Sequence, residues 1–103
     1  MLIRFAAVVV ACLLVGPALA ATSHGDKVAN HSAIAAVWNG ILEAKRVAGL
    51  PPSLDGHDVA NLMEGLKIAC RYTGNFNEDD YMDGAGYAAV ALECGKALKA
   101  SSS

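Results

Sequence analysis

The sequence has few of the residues and motifs that build catalytic, cofactor or nucleic-acid sites. Charged residues make up 17% of the chain and the net charge is −2, so it lacks the clustered basic face that binds nucleic acid. It contains no Gly-x-Ser-x-Gly elbow, no phosphate-binding P-loop and no His-Glu-x-x-His pair. These absences predict a protein that is not an enzyme, with no catalytic residue, no cofactor and no bound metal.

The sequence also lacks the alternation of apolar and polar residues that is typical of a half-buried strand. Apolar residues instead recur every three or four positions, as on one face of a helix. The pattern predicts a single all-α domain over residues 27–99, a small bundle of three to four helices. The predicted helices cover residues 27–48, 55–72, 77–83 and 87–99, and a disordered tail follows at 100–103.

Local signals set the ends of these helices. Gly49 and the prolines after it end the first helix, and Asp55 is a suitable N-cap for the second. Asn77 is a suitable N-cap for the third. Phe76 and Tyr81 stand at the spacing of a hydrophobic staple, in which an apolar residue before the cap packs on one in the first turn.

The N-terminus has the layout of a secretory signal peptide. Arg4 precedes an apolar run from Phe5 to Val15, and Ala18 to Ala20 form a small-residue cleavage site. Cleavage after Ala20 would leave 83 residues that begin with a flexible segment, 21–26. An uncleaved anchor and a lipoprotein signal processed at Cys12 are the alternatives. We therefore expect a periplasmic or secreted protein without a stable membrane span after cleavage.

Cysteine is scarce, with three residues in all. Cys12 would leave with the signal, so a Cys70–Cys94 disulfide is predicted in the oxidising compartment. On one straight helical hairpin these residues would lie about 22 Å apart, whereas bridged Cα atoms lie within about 7 Å. The bridge therefore predicts a hinge at Gly84 and Gly86 that folds the last helix back. With a straight last helix, the bridge would be absent or intermolecular.

Two groups of potential metal ligands have simpler interpretations. An EF-hand loop starting at Asn75 fails because its sixth position is Asp80 and its twelfth is Gly86, where glycine and glutamate are required. The acidic residues are better explained as a helix start: Glu78, Asp79, Asp80 and Asp83. The histidines have no metal-ligand spacing and are interpreted as surface residues: His24, His31 and His57.

Aromatic residues make up only 6% of the chain. Trp38 lies at helical spacing with Ile34 and Ile41, which favours a role in the core over a binding anchor. Three tyrosines flank the glycine pair and are candidate partner contacts, because tyrosine is enriched at protein interfaces: Tyr72, Tyr81 and Tyr87. The partner would be another protein, and a homodimer remains an open alternative.

The order of features resembles the Tai-type periplasmic immunity proteins. The resemblance rests on Trp38-Asn-Gly40-Ile-Leu-Glu-Ala, on Pro52-Ser-Leu-Asp with Leu62-Met-Glu-Gly-Leu-Lys, and on Ala88-Ala-Val-Ala-Leu, and it covers about residues 34–98. That family is all-helical and disulfide-bonded, and its members neutralise type VI secreted amidases by binding them. The resemblance implies an immunity or inhibitor protein that acts by contact.

The sequence departs from that family in its cysteines. The cysteine ahead of the aromatic-glycine helix and the terminal cysteine are absent, and Cys70 and Cys94 occupy other places. No contact residue is carried over. The chain also resembles the periplasmic acid-stress chaperones, which are small, helical and held by one disulfide. A chaperone of that kind, or an accessory envelope protein, is the alternative function.

Overall fold

The chain folds into three helices in the computed structural model, which describes residues 26–102. Helix α1 spans Asp26–Val47, α2 spans Gly56–Tyr72 and α3 spans Glu78–Ser102. This part of the chain contains no strand. The predicted all-α class is confirmed, with three helices. The predicted signal peptide with its Ala20 and Cys12 processing sites, and segment 21–25, lie outside the described residues.

Helix α2 is the centre of the fold. It packs against both α1 and α3, whereas α1 and α3 make no contact with each other within residues 26–102. The residues of α2 that touch α1 include Asp58 and Gly65, and those that touch α3 include Lys67 and Arg71. At 100° per residue these two sets point to nearly opposite sides of α2. The three helices therefore form a single layer.

The α1–α2 contact depends on a glycine. A Cβ atom at Gly65 would lie 2.7 Å from Ile41 Cδ1 and 3.0 Å from Val37 Cγ1, both closer than carbon atoms normally pack. The half-buried indole of Trp38 donates a hydrogen bond of 2.6 Å to the Leu62 carbonyl. Gly65 thus lets the two helices approach until the α1 side chains rest on the α2 backbone.

A capping box with an ion pair holds the other end of this contact. The Asp55 carboxylate accepts from the Asp58 N–H at 2.9 Å, and the Asp58 carboxylate accepts from the Asp55 N–H at 3.0 Å. Lys45 of α1 contacts Asp58 at 2.6 Å. The hydrogen bond from Lys45, opposed by burial and helped by the Asp55 N–H, keeps the pKa of Asp58 below its usual value.

The predicted hinge at Gly84 and Gly86 is wrong, because α3 is one continuous helix through both glycines. Gly84 is buried, and a Cβ there would collide with the Arg71 guanidinium, so its small size makes room for a side chain of α2. Gly86 is exposed, and a Cβ there would meet nothing within 4 Å. Close packing explains the first glycine, and nothing in the structure explains the second.

The end of α3 also differs from the prediction. The helix continues to Ser102, where the sequence predicted a disordered tail from residue 100. The Ser101 hydroxyl donates to the Leu98 carbonyl and the Ser102 hydroxyl donates to the Lys99 carbonyl, each at 3.0 Å. These bonds satisfy two carbonyls of the last turns and extend the helix.

The predicted Cys70–Cys94 disulfide is absent, and both cysteines are free. Cys94 Sγ lies 3.4 Å from the position of a Cβ on Gly56, at the start of α2. Cys70 lies near the end of α2, where Asn30 Nδ2 donates to its Sγ at 3.5 Å. The stretch of α2 between these contacts is about 21 Å long at 1.5 Å per residue. The straight α3 therefore holds the two thiols far apart.

Little of this single layer is fully buried. The buried apolar residues within 26–102 are mostly small: Ile34, Ala60, Leu62, Ala69 and Ala91. No large side chain in this range is less than 2% exposed, whereas Val59, Val90 and Leu92 are each 46–59% exposed. The fold thus relies on close helix contacts at small residues and on ion pairs, and it leaves apolar surface uncovered.

Replacing Gly65 by alanine should destabilise the protein by about 1–3 kcal/mol, because the new methyl group must displace Ile41 and Val37. The matched control is Gly40→Ala in the middle of α1, where a Cβ meets nothing within 4 Å. Alanine there should stabilise by about 0.5–1 kcal/mol, through its better helix propensity. Urea unfolding followed by circular dichroism measures both. Equal stability of the two variants would show that α1 and α2 do not approach closely at Gly65.

The positions of the cysteines predict two free thiols in the natively folded protein. In the chain that remains after cleavage at Ala20, which has lost Cys12, alkylation in denaturant without reductant should add two labels, at Cys70 and Cys94. Intact mass spectrometry reads the number of labels. Prior reduction should leave the label count unchanged. A chain two hydrogens lighter that accepts labels only after reduction would contradict the straight α3, because a bridge needs Cα atoms within about 7 Å.

Candidate functional site

The structure separates the three tyrosines predicted as partner contacts. Tyr72 is the last residue of α2 and is 87% exposed, and Tyr81 in the first turns of α3 is 45% exposed. Tyr87 is half-buried, two turns after the buried Asp80 on the same side of α3. Tyr72 and Tyr81 thus lie near the α2–α3 turn and face solvent. Tyr87 belongs to the packed side of α3 instead.

Two further apolar side chains join Tyr81 at this turn. The Phe76 ring lies 5.6 Å from the Tyr81 ring between centroids, tilted by 37°, and Phe76 is 77% exposed. This is the pair that the staple spacing predicted. Met82 is 71% exposed, and with Phe76, Tyr81 and Glu78 it lines one shallow depression. We call Tyr72, Phe76, Tyr81 and Met82 the aromatic patch.

Arg71 supports the patch from beneath. Its guanidinium carbon lies 4.6 Å from the centroid of the Tyr81 ring, a cation–π distance. Its Nη2 donates to the Asp80 carbonyl at 3.5 Å, and its buried Nε has no hydrogen-bond partner among the described residues. Gly84 leaves the space that this side chain occupies. Tyr81 therefore contacts both Phe76 and Arg71 of its own chain, which restricts the motion of its ring before any partner binds.

Some acidic side chains around the patch pair with Lys67, and others have no basic partner among the described residues. Lys67 of α2 lies 2.9 Å from Asp83 and 3.8 Å from the buried Asp80. The hydrogen bond with Asp83 outweighs burial and raises the pKa of Lys67 above its usual value. Within residues 26–102, no basic side chain forms an ion pair with Glu78 or Asp79, which are both exposed. The rim of the aromatic patch is therefore acidic.

The asparagine cap positions this acidic rim. The Asn77 side chain accepts from the Asp79 N–H at 3.0 Å, and the Asp80 N–H bonds the Asn77 carbonyl at 3.1 Å. The carboxylates that were compared with an EF-hand loop thus have other roles. Some lie at the positive end of α3, and others form ion pairs with Lys67. Glu78, Asp79 and Asp80 lie in the first turn of α3, as the sequence predicted, whereas Asp83 lies beyond that turn and pairs with Lys67.

One other group of potential metal ligands exists among the described residues. Oxygen or nitrogen atoms of Asp55, His57 and Asp58 lie within 4.8 Å of one another. Both carboxylates already serve as caps of α2, and Asp58 also bonds Lys45. The imidazole of His57 lies against Gly95 of α3. These side chains are explained by the fold.

Of the other two histidines, the structure describes one. His31 is exposed on α1 and its Nδ1 lies 2.7 Å from the Lys27 carbonyl. His24 lies outside the described residues. None of the three helices in the described range has the length and apolar character needed for crossing a membrane.

A known family matches most of the chain. The family described as "Domain of unknown function (DUF6378)" matches residues 20–95. The chain belongs to this family. The DUF6378 match includes α1, α2, the α2–α3 turn and most of α3, so the aromatic patch is part of the family domain. No curated protein matches the chain. No solved structure matches it either.

Sequence reasoning found part of the aromatic patch. The sequence grouped Tyr72, Tyr81 and Tyr87 because they flank the glycine pair, whereas only Tyr72 and Tyr81 are exposed near the α2–α3 turn. It missed Met82, and it assigned Phe76 only to a staple. A helical projection of a continuous α3 would have placed Met82 on the exposed side, since it lies two positions after the buried Asp80.

Proposed function

We propose that this member of the DUF6378 family is an exported protein that binds another protein by contact, as an immunity or inhibitor protein does. The observation that supports this is the aromatic patch. Tyr72, Phe76 and Met82 are 71–87% exposed in a chain that is poor in aromatic residues. Tyrosine, phenylalanine and methionine are the residue types that protein interfaces favour.

The order of the patch also supports a binding role. Tyr81 is fixed by contacts with Phe76 and Arg71, so binding costs little side-chain entropy at this ring. Interface residues that contribute most to affinity are rigid aromatic anchors of this kind.

The acidic rim defines the chemistry of the partner. Glu78 and Asp79 are exposed and unpaired with any base in the described range. A protein surface with an apolar pocket and flanking lysine or arginine residues would complement the patch in shape and charge. Charge complementarity at a rim mainly raises the association rate and is weakened by salt.

Truncating the patch should remove partner binding. Immobilised wild-type protein and the Phe76→Ala variant are exposed to periplasmic extract, and retained proteins are compared by quantitative mass spectrometry. The partner is then purified for calorimetric titration. Phe76→Ala should weaken the affinity at least about tenfold, because truncation of a central aromatic residue typically costs about 2 kcal/mol. Glu78→Lys should also weaken the affinity, and the loss should be larger at low salt than at high salt.

The matched control is Val47→Ala, a 71% exposed apolar residue at the end of α1. The neighbouring Lys45 contacts Asp58 at the start of α2, so Val47 lies at the opposite end of the helices from the patch. The Val47→Ala variant should bind the partner like the wild type. Retention of the same proteins by wild type, Phe76→Ala and Val47→Ala alike would refute the aromatic patch as the binding site.

A second candidate function is the acid-stress chaperone. It is favoured by the ion pairs that fasten the outer helices to α2: Lys45–Asp58 on the α1 side and Lys67 with Asp83 on the α3 side. Each pair loses its attraction when its carboxylate is protonated. The helices already leave part of their apolar surface exposed. Separation of the helices in acid would also expose the apolar surface that they bury against one another.

Stability should therefore fall in acid, and Asp58 should be one cause. Its pKa is lower in the folded protein than in the unfolded chain. Its stabilisation is thus complete above the unfolded value of about 3.9 and is lost as the pH falls through the folded value. Asp58→Asn should lower the free energy of unfolding at pH 7 by about 1–3 kcal/mol, since it removes the negative charge paired with a mostly buried Lys45.

Urea unfolding at pH 7 and below pH 3 measures this effect, and the gap between wild type and Asp58→Asn should shrink in acid. A gap that stays constant would show that the Lys45–Asp58 pair does not respond to acid. Light scattering of an aggregating client at the same low pH separates the two functions. A chaperone suppresses aggregation of unrelated clients, whereas an immunity protein does not.

A further inference from the structure

The shallow depression in the aromatic patch combines aromatic rings, a thioether and a carboxylate. Glu78, Tyr81 and Met82 lie at i, i+3 and i+4 in the first turns of α3, so their side chains share one face of the helix. Phe76 completes the lining, with its ring 5.6 Å from that of Tyr81. The depression therefore has mostly apolar walls and one carboxylate among its lining groups.

The two rings of the depression differ in what already covers them. The Arg71 guanidinium carbon lies 4.6 Å from the centroid of Tyr81, so a cation of the same chain already occupies one side of that ring. Among residues 26–102, no basic side chain lies over the ring of Phe76, which is 77% exposed. The face of an aromatic ring attracts a cation. Phe76 is thus the ring that is available to a cation from outside the chain.

The charge around the depression also favours a cation. The first two turns of α3 carry four carboxylates and no basic residue: Glu78, Asp79, Asp80 and Asp83. Lys67 and Arg71 of α2 bring only two positive charges to this region, which leaves a net charge of −2. The positive end of the α3 dipole offsets only about half a charge. The surroundings of the depression therefore remain negative.

We propose that this depression binds an arginine side chain of the partner protein. The inference rests on the proposed function, and it names the residue that the aromatic patch recognises. The planar guanidinium stacks on Phe76 and donates two hydrogen bonds to the Glu78 carboxylate, while the apolar stem lies along Met82. Lysine fits less well, because its ammonium group is compact and strongly hydrated and lacks the paired N–H donors that match a carboxylate.

Other side chains fit the depression less well than arginine does. An apolar side chain would cover Glu78 and leave its carboxylate buried without a partner, which is costly. An acidic or phosphorylated side chain would meet like charge at Glu78 and Asp79. Arginine alone supplies a flat surface for the ring, an apolar stem and a charge of the required sign.

Nuclear magnetic resonance titration of the protein without its partner tests the proposal. The probe is the peptide acetyl-Leu-Arg-Leu-amide, and the matched neutral probe contains citrulline, which keeps the shape of arginine and lacks its charge. The arginine peptide should shift the resonances of Phe76, Glu78 and Met82 saturably, with a dissociation constant on the order of 1–10 mM. The citrulline peptide should bind at least about fivefold more weakly, and the difference should shrink at high salt.

Two substitutions separate the contacts with the guanidinium. Glu78→Gln removes the charge of the carboxylate, and Phe76→Leu removes the aromatic face but keeps an apolar side chain. Each should weaken binding of the arginine peptide about three- to tenfold, with less effect on the citrulline peptide. The matched control is Glu93→Gln, which removes an exposed carboxylate about 22 Å further along α3 and should bind like the wild type.

Equal binding of the two peptides would overturn the proposal, and so would the absence of saturable shifts at about 50 mM of the arginine peptide. An affinity for the arginine peptide that neither Glu78→Gln nor Phe76→Leu changes would also overturn it. The proposed function is tested separately, because these titrations contain no partner. A partner that binds through Phe76 but has equal affinity for wild type and Glu78→Gln would keep the aromatic patch as the binding site and refute the arginine contact.

Discussion

The structure depends on the requirement that α2 contact a helix on each of two opposite sides. Such a helix must carry packing residues on both of these sides, and its small residues decide how near the neighbouring helices come. Gly65 admits Ile41 and Val37 on one side, and Gly84 of α3 admits Arg71 on the other. Ion pairs from Lys45 and Lys67 then complete each contact. Wider helix spacing would remove the dispersion contacts and the ion pairs together.

The Arg71 contact shows how packing between helices produces a surface feature. Arg71 can lie between α2 and α3 only because Gly84 has no side chain. In that position its guanidinium lies under the ring of Tyr81, and Phe76 lies against the same ring. The order of an exposed aromatic residue is thus set by a buried glycine three positions further along α3. A change at Gly84 would affect the surface through Arg71, without any change of a surface residue.

The helices themselves could be predicted from the sequence, because their signals are local. The Asp55 cap, the Asn77 cap and the Phe76–Tyr81 staple all depend on residues within one or two turns. The predicted Cys70–Cys94 bridge and the hinge at Gly84 and Gly86 failed together, because the second was deduced from the first. A glycine inside a helix lowers its propensity by about 1 kcal/mol, and whether it breaks the helix depends on what packs there. At Gly84 the packing residue is Arg71 of another helix, and the spacing of residues along the sequence does not reveal that contact.

The acidic rim of the aromatic patch selects the kind of surface that can cover it. Glu78 and Asp79 form no ion pair with a basic side chain of residues 26–102. Burial of the patch against an identical surface would bring like charges together, whereas a basic partner would neutralise them. The same charges that keep the exposed rings from associating with one another therefore favour a partner of opposite charge.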